Sequence, residues 1–381
     1  MKDLKNYLVE KEEEMLLLLE RLVNIDSGSL DKEGIDKIGA ILQGEYENLG
    51  FVVETNHQEV QGNHLIIRHQ EANDPEILSV LHMDTVFSKG TALKRPFTIK
   101  EGRAYGPGVI DMQASHIVIL YALKALHKTN HSGLNNIEII LTSDEEIGSL
   151  TSRHLIEEHS KNKKYALIME PARQDGSLVT ARRGAGEMML HVTGKAAHAG
   201  VEPRAGSSAI EELAHKIIKI LKLTDYQKGV TVNVGVIKGG TTVNTIAPYA
   251  VAEVDLRISH IEQGKWLEDQ IKEICAVPDV KGTTIKVTGG IERPPMVKNK
   301  QTIDLLNVIK SVGTELGIDI KDMATGGGSD ASFTSAMGVA TIDGLGPIGG
   351  NTHSEEEYLE VDSLVERTHL LAHVIHRLTN K

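Results

Sequence analysis

The chain has 381 residues, a length that favours two domains over a single core. Its formal net charge is −12 and it has no long basic run, which argues against a phosphate-binding face for nucleic acid. It has one cysteine, Cys275, so no intrachain disulfide can form, and we expect a cytoplasmic protein in a reducing compartment. The apolar run at residues 15–19 is too short for a membrane span or a signal core and predicts an amphipathic first helix.

Helices and strands alternate through the first part of the chain. Apolar residues at helical spacing predict a helix that includes Ile35, Ile38 and Leu42 and ends at Gly50. The predicted elements that follow are strands at 51–53, 65–67 and 77–81, a helix at about 114–127, a strand at 137–141, a helix after 152 and a strand at 165–170. This alternation predicts an α/β fold with a mostly parallel sheet and functional residues at the carboxyl ends of its strands.

The pattern changes after about residue 181. The predicted order becomes strand, helix, strand, strand, helix, strand, at residues 186–193, 208–223, 230–237, 250–258, 266–274 and 283–287. This order is the split βαβ, ferredoxin-like arrangement, and it indicates an inserted α+β domain. The α/β pattern returns with a helix at 302–316, a short strand at 339–342 and a last helix at 361–378. We therefore predict a catalytic domain of residues 1–181 and 293–381 and an inserted domain of residues 182–292.

Three consecutive carboxylates, Asp144, Glu145 and Glu146, follow the predicted strand at 137–141. Crowding them costs free energy unless a cation balances their charge. Successive side chains on an extended backbone point in opposite directions, so Glu145 and Glu146 are predicted to have different tasks. One can bind a metal while the other faces substrate or water. Taken alone, the stretch favours a solvated acidic turn, and the metal-site interpretation depends on the partners that the rest of the chain supplies.

Other candidate metal ligands share the same kind of position, just past a predicted strand or on a glycine-bounded loop. With the two glutamates they form the set His82, Asp84, Asp111, Glu145, Glu146, Glu170 and His353. Imidazole and carboxylate groups suit zinc and related metals, and the set is large enough for two ions with one bridging carboxylate. Two ions about 3.5–4 Å apart can position a hydroxide and polarise a carbonyl together. Each residue alone also has a structural explanation, so the prediction depends on the whole set.

Six motifs occur in order along nearly the whole chain. They are His82-Met83-Asp84-Thr85-Val86, Tyr105-Gly106-Pro107-Gly108-Val109-Ile110-Asp111-Met112, Asp144-Glu145-Glu146-Ile147-Gly148-Ser149, Gly194-Lys195-Ala196-Ala197-His198-Ala199-Gly200, Gly326-Gly327-Gly328-Ser329-Asp330, and His353-Ser354 with Glu357-Tyr358. Together they resemble the dinuclear zinc family that contains acetylornithine deacetylase, succinyl-diaminopimelate desuccinylase and glutamate carboxypeptidase. The resemblance is strongest to the glutamate carboxypeptidase and aminotripeptidase-like branch.

The resemblance implies a metal site with two Zn²⁺ per chain, for which Co²⁺ or Mn²⁺ can substitute. In this assignment Asp111 bridges both ions. His82 and Glu170 hold one ion, and Glu146 and His353 hold the other.

The resemblance also implies roles around the metals. Asp84 would hydrogen-bond the far nitrogen of His82 and fix its tautomer, and Glu145 would be the general base. His198 would stabilise the oxyanion from the partner subunit of a homodimer, which makes the inserted domain a lid and dimerisation domain. Asn244 and Arg257 would bind the substrate carboxylate and nearby polar atoms, a task that suits a guanidinium fork.

Some residues of these motifs leave alternatives open. Gly327 and Gly328 would let the backbone approach the substrate closely. Ser329 has the chemistry of a nucleophile, but no histidine stands beside it in sequence. Arg182 and Arg183 open the inserted domain and are interpreted as a hinge contact rather than an extra anion contact. The family usually continues Lys-Gly-Gly after the aspartate–methionine pair, where this chain has Gln-Ala-Ser, a departure that touches no ligand.

We predict an enzyme that hydrolyses an amide next to a free carboxylate, either a carboxypeptidase or a di- or tripeptidase of small peptides. The alternative enzyme is a deacylase of N-acyl amino acids. A third hypothesis, from another class, is a metal-binding or regulatory protein without activity; the presence of Glu145 argues against it, because binding alone needs no base. No membrane or nucleic-acid partner is expected.

Overall fold

The structure is a computed structural model that describes residues 4–129 and 132–380. These residues form two compact units. The first contains the described parts of Met1–Ala181, Lys298–Thr325 and Ser329–Lys381, and the second contains Arg182–Val297 and Gly326–Gly328. The chain returns to the first unit later than residue 293, because Met296 still exchanges two backbone hydrogen bonds with Arg182, at 3.0 and 3.1 Å.

Helices and strands are numbered here along the whole chain. The helices are α1 (Leu4–Glu10), α2 (Glu12–Val23), α3 (Lys32–Glu47), α4 (Thr91–Lys94), α5 (Ala114–Lys128), α6 (Ser152–Ser160), α7 (Ala209–Leu221), α8 (Ile261–Ala276), α9 (Lys300–Leu316), α10 (Ala331–Ala336) and α11 (Val361–Thr379). Short helical segments cover Val109–Gln113, Ser132–Asn136, Glu145–Ile147 and Pro203–Ala205.

The strands follow the same numbering. They are β1 (Phe51–Asn56), β2 (His64–His69), β3 (Ile77–His82), β4 (Thr98–Lys100), β5 (Arg103–Tyr105), β6 (Ile137–Thr142), β7 (Tyr165–Ile168), β8 (Leu178–Arg182), β9 (Gly184–Thr193), β10 (Thr231–Gly239), β11 (Tyr249–Ile258), β12 (Thr284–Arg293), β13 (Asp322–Thr325), β14 (Ala340–Ile342), β15 (Gly349–Gly350) and β16 (Tyr358–Glu360).

The first unit is built on a six-stranded sheet in the order β1-β2-β6-β3-β7-β14. The strands β6, β3, β7 and β14 are parallel, while β2 and β1 add an antiparallel edge. Every residue of β3 and β6 is buried, as expected for central strands covered on both faces. The predicted α/β class with a mostly parallel sheet is confirmed.

The main core of the first unit surrounds helix α5, which packs against α11. Within the described residues, the stretch Val109–Lys128 is the one helix long and apolar enough to cross a membrane, with a mean hydropathy of 1.4. In the structure most of that stretch is buried. Its apolar surface is therefore covered by the protein's own core.

A buried ion cluster lies where β6 begins. The Glu138 carboxylate is 2% exposed and contacts three basic side chains: Arg68 Nε at 2.7 Å, His159 Nδ1 at 2.5 Å and Lys163 Nζ at 3.1 Å. Burial opposes the charge on this carboxylate, but His159, Lys163 and Arg68 outweigh it and lower the pKa of Glu138 to about 2. The cluster joins β2, β6 and the end of α6.

The second unit has a four-stranded sheet in the order β10-β11-β9-β12, in which every neighbouring pair is antiparallel. With α7 and α8 packed against the sheet, the chain order is strand, helix, strand, strand, helix, strand. The predicted split βαβ arrangement is confirmed. Cys275 lies in the core of this unit, 5% exposed, and burial raises the pKa of its thiol to about 11.

Two small sheets of the first unit were not predicted. One has the order β15-β16-β5-β4, and the other pairs β13 with β8. Their strands have two to five residues each, which is too short for an alternating pattern to stand out from loop sequence. The first of these sheets fixes the ends of two loops that carry site residues.

We expect the variant Glu138→Gln to lower the free energy of unfolding by up to roughly 3 kcal/mol at pH 7. The pKa of Glu138 is lower in the folded protein than its ordinary value of 4.5, so its contribution is complete above pH 4.5 and is lost as the pH falls toward about 2. The difference between variant and parent should therefore shrink between pH 5 and pH 3 in denaturant titrations. Glu158→Gln, on the exposed face of α6, is the matched control and should change little. A difference that stays constant over this pH range would contradict the assignment.

Candidate active site

The carboxyl ends of three neighbouring parallel strands place most of the candidate ligands. His82 is the last residue of β3 and is paired in register with Thr142, the last residue of β6. Glu145 and Glu146 follow β6 in a short helical turn, and Glu170 follows β7. Because parallel strands end at the same edge of a sheet, these residues become neighbours although they are far apart in the chain.

Asp111 lies between two histidines and faces each with a different oxygen. Its Oδ1 is 3.3 Å from Nε2 of His82, and its Oδ2 is 3.2 Å from Nε2 of His353. Glu170 Oε1 lies 3.8 Å from the same nitrogen of His82, and Glu146 Oε2 lies 3.3 Å from that of His353. The five side chains therefore form two groups that share the Asp111 carboxylate.

These distances fit metal ligands. Two donor atoms that bind one tetrahedral Zn²⁺ at about 2.0–2.1 Å lie about 3.3 Å from each other. Asp111 Oδ1 and Glu146 Oε1 are buried and receive no hydrogen bond, which is costly for a carboxylate oxygen unless a cation is close by. Donor set, spacing and unpaired buried oxygens all suit a pair of divalent cations.

The pKa values around this group report an excess of negative charge. Burial opposes protonation of His82, but the neighbouring carboxylates of Asp111 and Asp84 raise its pKa well above the ordinary range. Hydrogen bonds to Asp111 and Glu146 raise the pKa of His353 to about 10. Burial, reinforced by the charge of Asp111, raises the pKa of Glu170 well above its usual value. Protons on these groups balance the negative charge that bound cations would otherwise balance.

Glu145 and Glu146 belong to different sides of the site. Donor atoms of Glu145, His82 and Glu170 all lie within 4.8 Å of one another, and so do donor atoms of Glu146, His82 and Asp111. Glu146 contacts His353 on the far side of Asp111. The two glutamates thus have different neighbours, and their division into a ligand and a base stays a prediction, because proximity alone would also allow Glu145 to be a ligand.

The buried Asp84 carboxylate supports both glutamates. It accepts hydrogen bonds from the backbone N–H groups of Glu145 and Glu146, each at 3.2 Å, and from the Ser29 hydroxyl at 2.6 Å. His82 Nδ1 is closer to the backbone carbonyl of Asp84, at 2.8 Å, than to its carboxylate, at 3.5 Å. The shorter contact to His82 is thus made by the backbone, which still fixes the tautomer, while the side chain orients the glutamate turn.

Glu357 has a similar supporting position at Asp111, although the motif analysis assigned it no role. It is fully buried and accepts hydrogen bonds from the N–H groups of Ile110 at 3.0 Å, Asp111 at 3.1 Å and Gly108 at 3.3 Å. Burial and the nearby Asp111 charge raise the pKa of Glu357 to about 8, although the three N–H groups favour its charged form. Its place in the motif that begins at His353 was the available signal.

A second residue that the sequence did not single out is His116 on α5. Its buried Nε2 donates to the backbone carbonyl of His82 at 2.9 Å, which holds the end of β3. Burial lowers the pKa of His116 to about 3, so the ring is neutral. Nothing in the local sequence distinguishes it from other core positions of the helix.

In the second unit, the structure brings together two of the predicted substrate-contacting residues. His198 pairs through the backbone with Thr245, and the Asn244 carbonyl accepts the N–H of Ala199 at 2.9 Å. Both His198 and Asn244 are exposed. Both side chains are therefore accessible to a substrate, and their roles stay predictions.

Arg257 lies on β11 of the same unit. Its guanidinium contacts the Asp255 carboxylate through Nε at 3.1 Å and Nη2 at 2.8 Å. An arginine already held by a carboxylate on its own strand has to exchange or share this partner to bind a substrate carboxylate. The sequence placed Asp255 two residues away but did not reveal the contact.

The glycine loop at Gly326–Gly328 groups with the second unit. Arg182, which is buried, donates to the carbonyls of Gly327 and Gly328, both at 3.0 Å. Arg183 donates to the Gly229 carbonyl at 2.8 Å. Both arginines therefore hold backbone segments.

The next residue, Ser329, has a structural role. It is buried, and its hydroxyl donates to Asp343 at 2.8 Å while accepting the N–H of Ala331 at 3.1 Å. A hydroxyl used in this way stabilises the start of α10.

Comparison with known proteins identifies relatives over most of the chain. The model of the family described as peptidase family M20/M25/M40 matches residues 79–377. Carboxypeptidase G2 of Pseudomonas sp. (strain RS-16) is 31% identical over 365 residues, which cover 94% of this chain and 87% of that protein.

Solved structures show the same fold. The aminopeptidase PepT of Bacillus cereus ATCC 10987 superposes with a TM-score of 0.81 at 23% identity, covering 96% of this chain and 98% of that one. A tripeptidase of Staphylococcus aureus subsp. aureus Mu50 gives a TM-score of 0.79 at 22% identity, covering 97% and 99%. At these identities the likeness concerns the fold.

The variant Glu357→Gln tests the support of Asp111. Its amide would place an N–H donor against backbone donors, so we expect the affinity for divalent metal to fall by about 10- to 100-fold. Competition with a chelator of known affinity measures this change. Glu356→Gln, at the exposed neighbouring position, is the matched control and should bind metal like the parent. Equal affinities for the two variants would remove the proposed support.

Proposed function

The chain belongs to peptidase family M20/M25/M40, and on that premise we propose that it cleaves small peptides next to a free carboxylate, as a carboxypeptidase or a di- or tripeptidase. Hydrolysis of peptide bonds with bound metal ions follows from the family itself. The observation that supports our site most strongly is the divided Asp111 carboxylate, whose oxygens face His82 at 3.3 Å and His353 at 3.2 Å.

We assign one ion to His82, Asp111 and Glu170 and the other to Asp111, Glu146 and His353. Two divalent ions held there would lower the pKa of a water molecule and polarise the scissile carbonyl. Zinc is our choice of metal because imidazole and carboxylate donors suit it, and Co²⁺ or Mn²⁺ would be accepted by the same donors.

Glu145 is assigned as the general base. Its carboxylate would take the proton of the attacking water and return it to the leaving amine. The turn that carries it is held at two backbone N–H groups by Asp84, which supports a fixed backbone position for the base. Orienting the base in advance in this way lowers the entropic cost of the reaction.

The second unit would supply the remaining contacts. We propose that His198 stabilises the oxyanion and that Asn244 and Arg257 bind the substrate carboxylate, with Gly327 and Gly328 lining the path of the peptide. His198 would come from the partner subunit of a homodimer, and a monomeric mass in sedimentation experiments would rule this out. We expect the enzyme to act in the cytoplasm.

The deacylase alternative is not favoured. The family and the relatives reported above are named as peptidases, including a carboxypeptidase at 31% identity. A metal-binding protein without activity is also disfavoured, because Asp84 uses two hydrogen bonds to hold a glutamate turn whose Glu145 is not needed for binding alone.

A substrate panel tests this function. The purified protein, depleted of metal and reloaded with Zn²⁺, Co²⁺ or Mn²⁺, should cleave dipeptides or tripeptides and lose activity when the metal is removed. Amidation of the substrate's C-terminus should lower kcat/KM by about 100-fold or more, because a site built to bind a charged group is left unpaired. Equal cleavage of free and amidated peptides, or a preference for N-acetyl amino acids, would contradict the proposal.

Matched variants at Glu145 and Glu146 test the division of roles. Glu145→Gln should keep two metal ions per chain by elemental analysis and lose kcat by about 100-fold or more, because general-base catalysis contributes about that much. Glu146→Gln should lower metal content as well as activity. The opposite outcome, with metal lost from the first variant and retained by the second, would show that the two roles are exchanged.

A further inference from the structure

A cavity of about 620 Å³ in the first unit opens beside the candidate metal centre. Two loops form it, residues 28–31 between α2 and α3 and residues 85–89 after β3, together with Glu146 and Ile147. Glu146 is a candidate ligand, so the cavity begins where the proposed chemistry takes place. Its size is that of a site for a small organic molecule or an amino-acid residue.

Four large apolar side chains line this cavity together with polar and charged residues. Leu30 is 75% exposed, Val86 43% and Ile147 38%, and Phe87 completes the lining. Exposed aliphatic side chains are common singly, but three of them around one concave surface at an active site are typical of a pocket that binds an apolar group.

The two loops are held rigidly relative to the site. Gly28 pairs with Thr85 in a parallel bridge, and the N–H of Thr85 donates to the Ser27 carbonyl at 2.8 Å. A Cβ at Gly28 would lie 2.4 Å from the Phe87 carbonyl oxygen, so only glycine allows this approach of the two loops. Ser29 donates to the same Asp84 carboxylate that holds the Glu145–Glu146 turn. The cavity and the glutamate pair are therefore positioned by one common carboxylate.

The charges at the cavity do not favour a substrate carboxylate. The cationic side chain in the cavity lining is Lys89. Its Nζ lies 3.2 Å from Asp31 and 3.5 Å from Glu33, so two carboxylates already balance its charge. Glu146, the charged group of the lining that borders the metal centre, is assigned to a cation. Among the described residues, the lining therefore offers a C-terminal carboxylate no cationic side chain that lacks a partner, whereas its aliphatic and aromatic groups suit an uncharged side chain.

We propose that this cavity, lined by Leu30, Val86, Phe87 and Ile147, binds the side chain of the residue on the amino-terminal side of the scissile bond and selects large aliphatic or aromatic residues there. The inference rests on the proposed peptidase function and adds the preferred substrate class. Leu30 and Ile147 are specificity-determining residues in this assignment, and neither takes part in the chemical step.

Two series of dipeptides test the proposal. The first varies the amino-terminal residue, as Gly-Ala, Leu-Ala and Phe-Ala, and the second varies the carboxyl-terminal residue, as Ala-Gly, Ala-Leu and Ala-Phe. The parent enzyme should prefer Leu-Ala and Phe-Ala over Gly-Ala by about 10-fold or more in kcat/KM, the range expected for an apolar pocket. Leu30→Lys should lose about 10-fold on Leu-Ala through KM, and stay within about twofold on Gly-Ala.

Leu93→Lys is the matched control. Leu93 is 87% exposed and is not part of the cavity lining, so this variant should keep the parent's selectivity. Because Leu30 and Leu93 are both exposed, neither change should lower the thermal midpoint, and a melting curve checks this.

A binding measurement separates the inference from the catalytic proposal. Calorimetric titration of intact Leu-Ala and Gly-Ala into Glu145→Gln, with and without Leu30→Lys, needs no turnover. Tighter binding of Leu-Ala that is lost with Leu30→Lys supports the pocket. Three results would overturn it: unchanged selectivity in Leu30→Lys, a change that follows the carboxyl-terminal series instead, or a change in oligomeric mass, which would mean that a second copy covers the cavity. Absence of any hydrolysis by the parent would instead reject the proposed function.

Discussion

The arrangement of the site depends on one buried carboxylate. Asp84 lies just after the end of β3. It accepts hydrogen bonds from Ser29 and from the N–H groups of Glu145 and Glu146. Those bonds connect three segments that are distant in the chain, and each fixes a different part of the site. Burial opposes the charge of this carboxylate, but His82, followed by Ser29 and the N–H of Glu146, outweighs it and lowers the pKa of Asp84. Its negative charge in turn adds to a group of carboxylates that a cation has to balance, so metal binding and the stability of this region are coupled.

Mostly apolar runs made the central sheet predictable. β3 and β6 are buried along their whole length, and apart from Ser79 and Glu138 the residues that precede His82 and Thr142 in them are apolar. The ferredoxin-like unit was predictable for a related reason, because its long strands alternate and its helices are amphipathic. The strands of the small sheets gave no such signal, since a strand such as Gly349–Gly350 owes its structure to its partners rather than to its own side chains.

Within the site, the sequence predicted well which residues would lie close together. It predicted less well which of their atoms would be in contact. The ligand set came together as expected, yet the backbone carbonyl of Asp84, not its carboxylate, makes the shorter contact to His82. Every residue has a backbone carbonyl, so residue identity does not reveal which carbonyl accepts a hydrogen bond. The partners of Glu357 are backbone N–H groups for the same reason. The pairing of Arg257 with Asp255 depends on side-chain conformation, which residue spacing alone does not determine.

The single cysteine has a practical consequence. Thiol reagents react with the thiolate, and Cys275 is both 5% exposed and shifted to a pKa of about 11, so it stays protonated and shielded under ordinary labelling conditions. A cysteine introduced at an exposed position would then carry a fluorophore or spin label alone, without prior removal of the native thiol. The protein can therefore be labelled at a chosen site, without reaction of its native cysteine, for spectroscopic studies of motion during turnover.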